Sequence, residues 1–445
     1  MKFLHYGLIL LIMSNVFAET PLNQKDIDMQ NKMSSDLNII SDDDLDTWAD
    51  NFKEQFGFAD SNITEDGKFF VYASSPVLFN KSDPQYGNAL VSAFDETMTK
   101  IQSQYVMTLF GKNINEKIRS FYSNESTDNE QIELPEPGSP SFMNKLFTVL
   151  GKQLDLKEKE LDEELMKAGV DSEKLKKIPQ TKKKDIFRNS LIKTNIRKAS
   201  GSMSGLMVVK TAIANSKDGQ TYIGVIAIAS PKTKQIAKDI TLGRKSLITG
   251  NGRDIKEFLP KNNKDFVNTF GTRLVYDENG NPTIISYGIS AYAKNSNKYI
   301  NSNLKQRAKQ SAINNADGQI AELVNGYMSV KNTNKSGIES RKYAQRELVN
   351  NSDTLIKEIN KVVQIMSEKI KSSASVKLQG ISTLKRWSFT DEVGHNFVGA
   401  IRYWSYKNLM AVKGIKTGKF YKKRKTLDSS NSFDESKTIN SINDF

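Results

Sequence analysis

The sequence predicts an α+β fold: two tandem copies of a module made of a strand, a long helix and a β-hairpin, with a helical insertion and a helical amino-terminal segment. Three observations predict it. A strand followed by a long helix recurs at a spacing of 215 positions, a hairpin recurs at a spacing of 175, and the stretch between the first helix and its hairpin has helical periodicity.

The first residues, MKFLHYGLILLIMSNVFAET, carry Lys2, an apolar run from Gly7 to Met13 and the small-residue pattern ending at Ala18. This is the pattern of a secretory signal peptide cleaved after Ala18, with an apolar run too short for a mature membrane-spanning helix. Residues 19–66 are acidic, with thirteen Asp and Glu against three Lys. Within them Ser41 can cap a helix whose first turn holds Asp42, Asp43 and Asp44, where the helix dipole favours negative charge. Leu45, Trp48, Ala49, Phe52 and Phe56 then make one apolar stripe. The Asp run lacks the alternating oxygens, glycine turn and distal Glu of a calcium loop.

The first copy, 67–245, opens with the strand in ITEDGKFFVYASSPVLF and continues into a long helix from Tyr86. An acidic, Pro-rich linker precedes the helical insertion at about 141–198, and SGLMVVKTAIANSKDGQTYIGVIAIAS forms the hairpin. The second copy, 246–415, repeats this order with YDENGNPTIISYGISAY, a long helix from Lys298 and the hairpin SVKLQGISTLKRWSFTDEVGHNFVGAIRYWS. Tyr72 answers Tyr287 and Ala93 answers Ala308 at the first spacing. Tyr222, Gly224, Ile226 and Ile228 answer Phe397, Gly399, Ile401 and Tyr403 at the second. These alternate positions share one strand face, expected to be buried under the long helix. Residues 416–445 have no apolar period and are expected to be a disordered, basic-then-polar tail.

The helix RAKQSAINNADGQIAEL places Ala308, Ala312 and Ala316 four apart, a ridge that lets a helix approach a sheet closely, and FVGAIRYWSY follows as a strand. With these segments the module, over roughly 280 to 415, resembles a compact domain of bacterial envelope lipoproteins and of the amino terminus of the flagellar ring-assembly protein T. The whole chain is similar to an uncharacterised secreted bacterial envelope family. The resemblance implies a fold and an envelope setting; it brings no catalytic residues, and the absence of cysteine departs from the lipoprotein pattern.

The charge is +13, unevenly spread: ten Lys and Arg against three acids from Asp171 to Lys198, and nine bases without an acid from Arg402 to Lys425. Without cysteine there is neither a disulfide nor a lipid anchor. After the leader, His395 is the remaining histidine; it is expected in an exposed polar turn, so nucleophilic triads and histidine or cysteine zinc sites lack members. GRKS at 243–246 ends like a phosphate-binding loop, but Lys238 stands where its first glycine belongs, and no nucleotide or other cofactor is expected.

The expected function is an exported, noncatalytic binding or scaffold protein of the cell envelope, soluble or peripheral in the periplasm or beyond. The alternatives are a carboxylate-based hydrolase of envelope glycan, whose acid pair no motif identifies, and a binder of anionic polymer or membrane surfaces. Expected partners are an envelope protein or an anionic envelope polymer or lipid, not nucleic acid, with a homo-oligomer left open. On the second hairpin Arg402 and Trp404, with Trp387 on the adjoining strand, are expected to form a contact patch, because Trp and Arg are enriched among residues that carry binding energy. The basic run Lys422, Lys423 and Arg424 is the expected polyanion contact.

Overall fold

A computed structural model of the chain describes residues 42–58, 64, 66–123, 158–167, 171–216, 219–333, 356–357, 359–360, 363–364 and 378–417. The expected signal peptide, most of the acidic segment before the first helix, the linker and the tail beyond Thr417 lie outside the described residues.

The chain is an α+β protein. Helix α1 (Asp42–Gln55) precedes β1 (Phe69–Pro76) and the long α2 (Tyr86–Ser123). The insertion supplies α3 (Glu158–Lys167), the short α4 (Ser172–Leu175) and α5 (Gln180–Gly201). The hairpin β2 (Met207–Asn215) and β3 (Thr221–Ala229) leads into α6 (Pro231–Thr241), a short 3-10 turn (Ile255–Phe258), α7 (Asn263–Val267) and β4 (Gly271–Tyr276). The described elements conclude with β5 (Pro282–Tyr292), the long α8 (Lys298–Thr333), β6 (Ile381–Thr390), β7 (Asn396–Ser405) and α9 (Tyr406–Thr417).

Two antiparallel sheets result, ordered β1-β3-β2 and β4-β5-β7-β6. Their shared part coincides in register. Tyr72 pairs with Ile226 and Tyr287 with Ile401, so the two sequence spacings of 215 and 175 land on equivalent pairs. The two hairpins also shift register at corresponding points, between Val208 and Lys210 on β2 and between Thr383 and Lys385 on β6. A bulge re-aims the side chains after it, so its recurrence 175 positions on gives both hairpins the same local twist.

The long helices cover the strand face opposite to the one expected. On β3, Tyr222, Ile226 and Ile228 pack with Leu45, Trp48 and Phe52 of α1, and a Cβ on Gly224 would lie 2.9 Å from a Leu45 methyl. It is Ile223, Val225, Ala227 and Ala229 that share a core with Leu90, Phe94 and Tyr105 of α2. On β7, Val398, Ala400, Arg402 and Trp404 face α8, whereas Phe397, Gly399 and Ile401 look toward α2. The physical reason is that β3 and the middle of β7 are apolar on both faces, so alternation carries no sign of which neighbour lies where.

Helix α2 therefore stands between the sheets, with α1 outside the first and α8 outside the second. From Ile101 to Gly111 it is buried almost all round, as a helix enclosed by two layers must be. Phe94 stacks on Phe270 before β4 (centroids 4.9 Å apart), and a Cβ on Gly87 would lie 2.6 Å from Ala291 of β5. Arg273 of β4 donates to the carbonyls of Val208 (3.1 Å) and Phe270 (2.8 Å), bridging the edges β2 and β4. The alanine ridge of α8 does what its spacing predicts: Ala312 and Ala316 press on Gly288 of β5, where no side chain fits. The insertion closes on itself around Leu161, Leu165, Leu175 and Phe187, and joins the main core through Ile192 and Ile196 of α5.

Candidate binding surface

The structure does not assemble the expected patch. Trp404 is 3% exposed, packed with Ile320, Leu323 and Val324 of α8, and its indole N–H donates to the Gln379 carbonyl at 3.0 Å. The Arg402 guanidinium is bidentate on Asp317 of α8 (Nε to Oδ1 2.8 Å, Nη2 to Oδ2 3.1 Å), and its Nη1 donates to Thr383 Oγ1 at 2.7 Å. Trp387 lies on the other face of the sheet, stacked on Phe266 with centroids 5.5 Å apart and filling the space above Gly399. The three residues are packing, held by long-range partners that the local sequence does not name. Lys422, Lys423 and Arg424 lie outside the described residues.

His395, expected at the surface, is 5% exposed. The turn between β6 and β7 folds it in. Asp391 Oδ1 accepts from the backbone N–H groups of Val393, Gly394 and His395, at 3.1, 2.9 and 2.8 Å, and Gly394 takes the left-handed φ of +106° that this turn requires. The His395 ring then meets Asp391 Oδ2 through Nδ1 (2.7 Å) and the Asp83 carbonyl through Nε2 (2.9 Å), with the Tyr86 ring 5.1 Å away. Both partners are acceptors, so the ring fills both bonds only when each nitrogen carries a hydrogen. Burial pushes the Asp391 carboxyl up, but the bonds from the His395 ring and from the backbone of His395 and Gly394 outweigh it and hold the carboxyl below its usual range.

The His395–Asp83 bond ties the β6–β7 turn to the loop between β1 and α2. A third loop, between β5 and α8, starts beside them because Tyr292 pairs with Asn396. These three loops and the first turn of α8 carry Leu78 (79% exposed), Phe79, Tyr299, Ile300 and Val393, most of the exposed large apolar side chains among the described residues. A cluster of this kind at one end of a molecule is the usual mark of an interaction surface. Lys81, Glu392, Lys294 and Lys298 rim it with both signs of charge. Sequence reading missed this surface. The available signal was the apolar run Val77, Leu78, Phe79 continuing past Pro76, where the strand stops.

Asp95 of α2 and Glu322 of α8, with Gln102 and Gln319, line a small, partly open cavity. Its volume of about 30 Å³ has room for about two waters. Among the described residues no group of three His, Cys, Asp or Glu is placed to hold a metal ion, and no helix is long and apolar enough to cross a membrane.

Residues 146–242, covering the insertion, the first hairpin and α6, match the family model of a domain of unknown function, DUF6844. No curated protein matches the chain. Among solved structures the chain is similar to a hypothetical protein of Francisella tularensis, at 18% identity and a TM-score of 0.49, over 86% of this chain and 99% of that one.

Proposed function

We propose that the chain is a noncatalytic binding or scaffold protein of the bacterial cell envelope, exported by way of residues 1–18 and built on a duplicated module. The observation that carries the binding role is the apolar end formed by Leu78, Phe79, Tyr299, Ile300 and Val393, where His395 ties the β6–β7 turn to the β1–α2 loop. Its occupant on this reading is an envelope protein with an apolar contact surface, since the rim carries both signs of charge and suits a protein better than a polyanion. The matched registers and matched bulges of the two hairpins support the duplication.

The test is crosslinking in intact cells from position 79 or 393, followed by capture with wild type and with a Leu78→Asp/Val393→Asp variant. Both side chains are exposed, so the variant keeps its circular dichroism and melting temperature. Loss of a specific envelope protein from the capture is the expected result; unchanged capture overturns the reading. A glycan hydrolase would instead turn over peptidoglycan, with activity lost in Asp95→Asn or Glu322→Gln. Cell fractionation and the mass of the mature amino terminus test the export.

A further inference from the structure

At the opposite end of the β5–β7 pair, beyond Pro282 and Ser405, the loop 242–247 leaves α6 with the sequence Leu-Gly-Arg-Lys-Ser-Leu. Both leucines face outward, Leu242 at 51% and Leu247 at 97% exposure. The loop is firmly held all the same. Arg244 Nε donates to Oδ1 of the buried Asp239 at 2.7 Å, and its backbone N–H donates to the Asp239 carbonyl at 3.1 Å. Ser246 is buried, its Oγ accepting from Ile248 N at 3.2 Å, and Ile248 packs on the Trp404 cluster. With its neighbours on both sides turned inward, Leu247 is left in solvent. Lys413 Nζ of α9 donates to the Gly243 carbonyl at 2.8 Å, tying the loop to α9 two residues before Ile415, which is 83% exposed.

The exposed charges at this end are mostly basic. From Ile240 to Arg253 the chain has Arg244, Lys245 and Arg253 and no Asp or Glu, and α9 adds Lys407, Lys413 and Lys416 with no acid. Arg244, Lys245 and Lys416 are exposed. The Asp239 carboxylate is buried against Arg244. Asp277 spends its carboxylate on the N–H groups of Asn279 and Asn281, which leaves Glu278, on the turn that packs against Gly250, as an exposed acid at the rim.

We propose that this end docks on an anionic lipid bilayer, with Leu242 and Leu247 entering the acyl boundary and Arg244, Lys245 and Lys416 meeting headgroup phosphates. A soluble polyanion would use the cations alone, whereas exposed leucines held on either side of a basic pair match the layered chemistry of a bilayer surface. The inference extends the reading of the chain as an envelope binding protein, and it uses the end of the sheet about 30 Å away from the protein-binding loops, given ten-residue strands. A chain with both ends occupied would link a protein to the membrane.

Co-sedimentation of the full chain with vesicles of phosphatidylethanolamine and phosphatidylglycerol tests it, against phosphatidylcholine vesicles. The expected result is binding to the anionic vesicles that falls steeply with salt. Leu242→Ser/Leu247→Ser should weaken it about tenfold or more, and Lys245→Glu should weaken it and reduce the salt dependence. Equal binding to both lipids, no binding, or full binding by the double leucine variant overturns the proposal. So does complete competition by soluble polyphosphate, which would assign the surface to a polyanion. Protein capture by the Leu78 and Val393 loops is a separate readout, so either idea can fail alone.

Discussion

Gly288 shows how one missing side chain positions a layer. Ala312 and Ala316 of α8 occupy the space a Cβ would need, so Gly288→Ala must push the helix off the sheet and is expected to cost about 1–3 kcal/mol in urea unfolding. An unchanged midpoint would mean that the helix sits further out. At Asp391 the fold lowers the carboxyl pKa, so its stabilising contribution is complete above the unfolded value of about 4 and is lost as pH falls through the folded one. Between about pH 5 and 3 the melting temperature of wild type should therefore fall further than that of Asp391→Asn; parallel curves would refute the linkage. Lys210, 5.8 Å from the Trp48 ring, is shifted in the same direction, but there the fold disfavours the charged form. Burial pushes its amine down to about 8, so the unfolded chain binds more protons above that pH. The stability difference between wild type and Lys210→Met should then narrow as pH rises from about 8 to 10, with the variant the more stable at pH 7.

At the scale of elements, the faces of β3 and β7 were the part of the fold hardest to read. TYIGVIAIA offers an apolar residue on either side of the strand, and the two helices that compete for it, α1 and α2, lie respectively far before it and beyond a long insertion. On β7 the discriminating feature is Arg402, but a buried arginine tells its side only once Asp317 is known to lie opposite, 85 positions earlier. This pair clamps β7 to α8 and leaves both side chains less than a fifth exposed. A double-mutant cycle with Asp317→Asn and Arg402→Met should give a coupling of about 1–3 kcal/mol, the single changes each costing more than additivity allows. Additive effects would show that the clamp contributes packing alone.

For the molecule as a whole, the two sheets share one interior. Val71, Ile223, Ile285, Tyr287 and Phe397, drawn from both sheets, belong to one buried cluster with Phe94 and Tyr105 of α2 between them. Two sheets with a common helix cannot be parted without exposing each other's cores, so urea should unfold them in a single transition that near-ultraviolet and far-ultraviolet circular dichroism report together. Phe94→Ala should lower the midpoint by about 3–5 kcal/mol of stability and leave the transition single. Two separated transitions would show independent modules.

The sequence by itself determined the α+β class, the order of strand, long helix and hairpin in each half, the close approach of α8 through its alanines, and the absence of cysteine chemistry. These rest on local period and composition, which fix backbone hydrogen bonding and side-chain spacing within each element. Only the tertiary structure decided that α2 lies between the sheets, that Trp387 and Trp404 are packing on opposite faces, that His395 is turned inward onto Asp83, and that Leu78, Tyr299 and Val393 share one end. Each of those depends on which apolar faces meet and on partners up to 312 positions apart. Burial is a property of such meetings, and no window of neighbouring residues contains it.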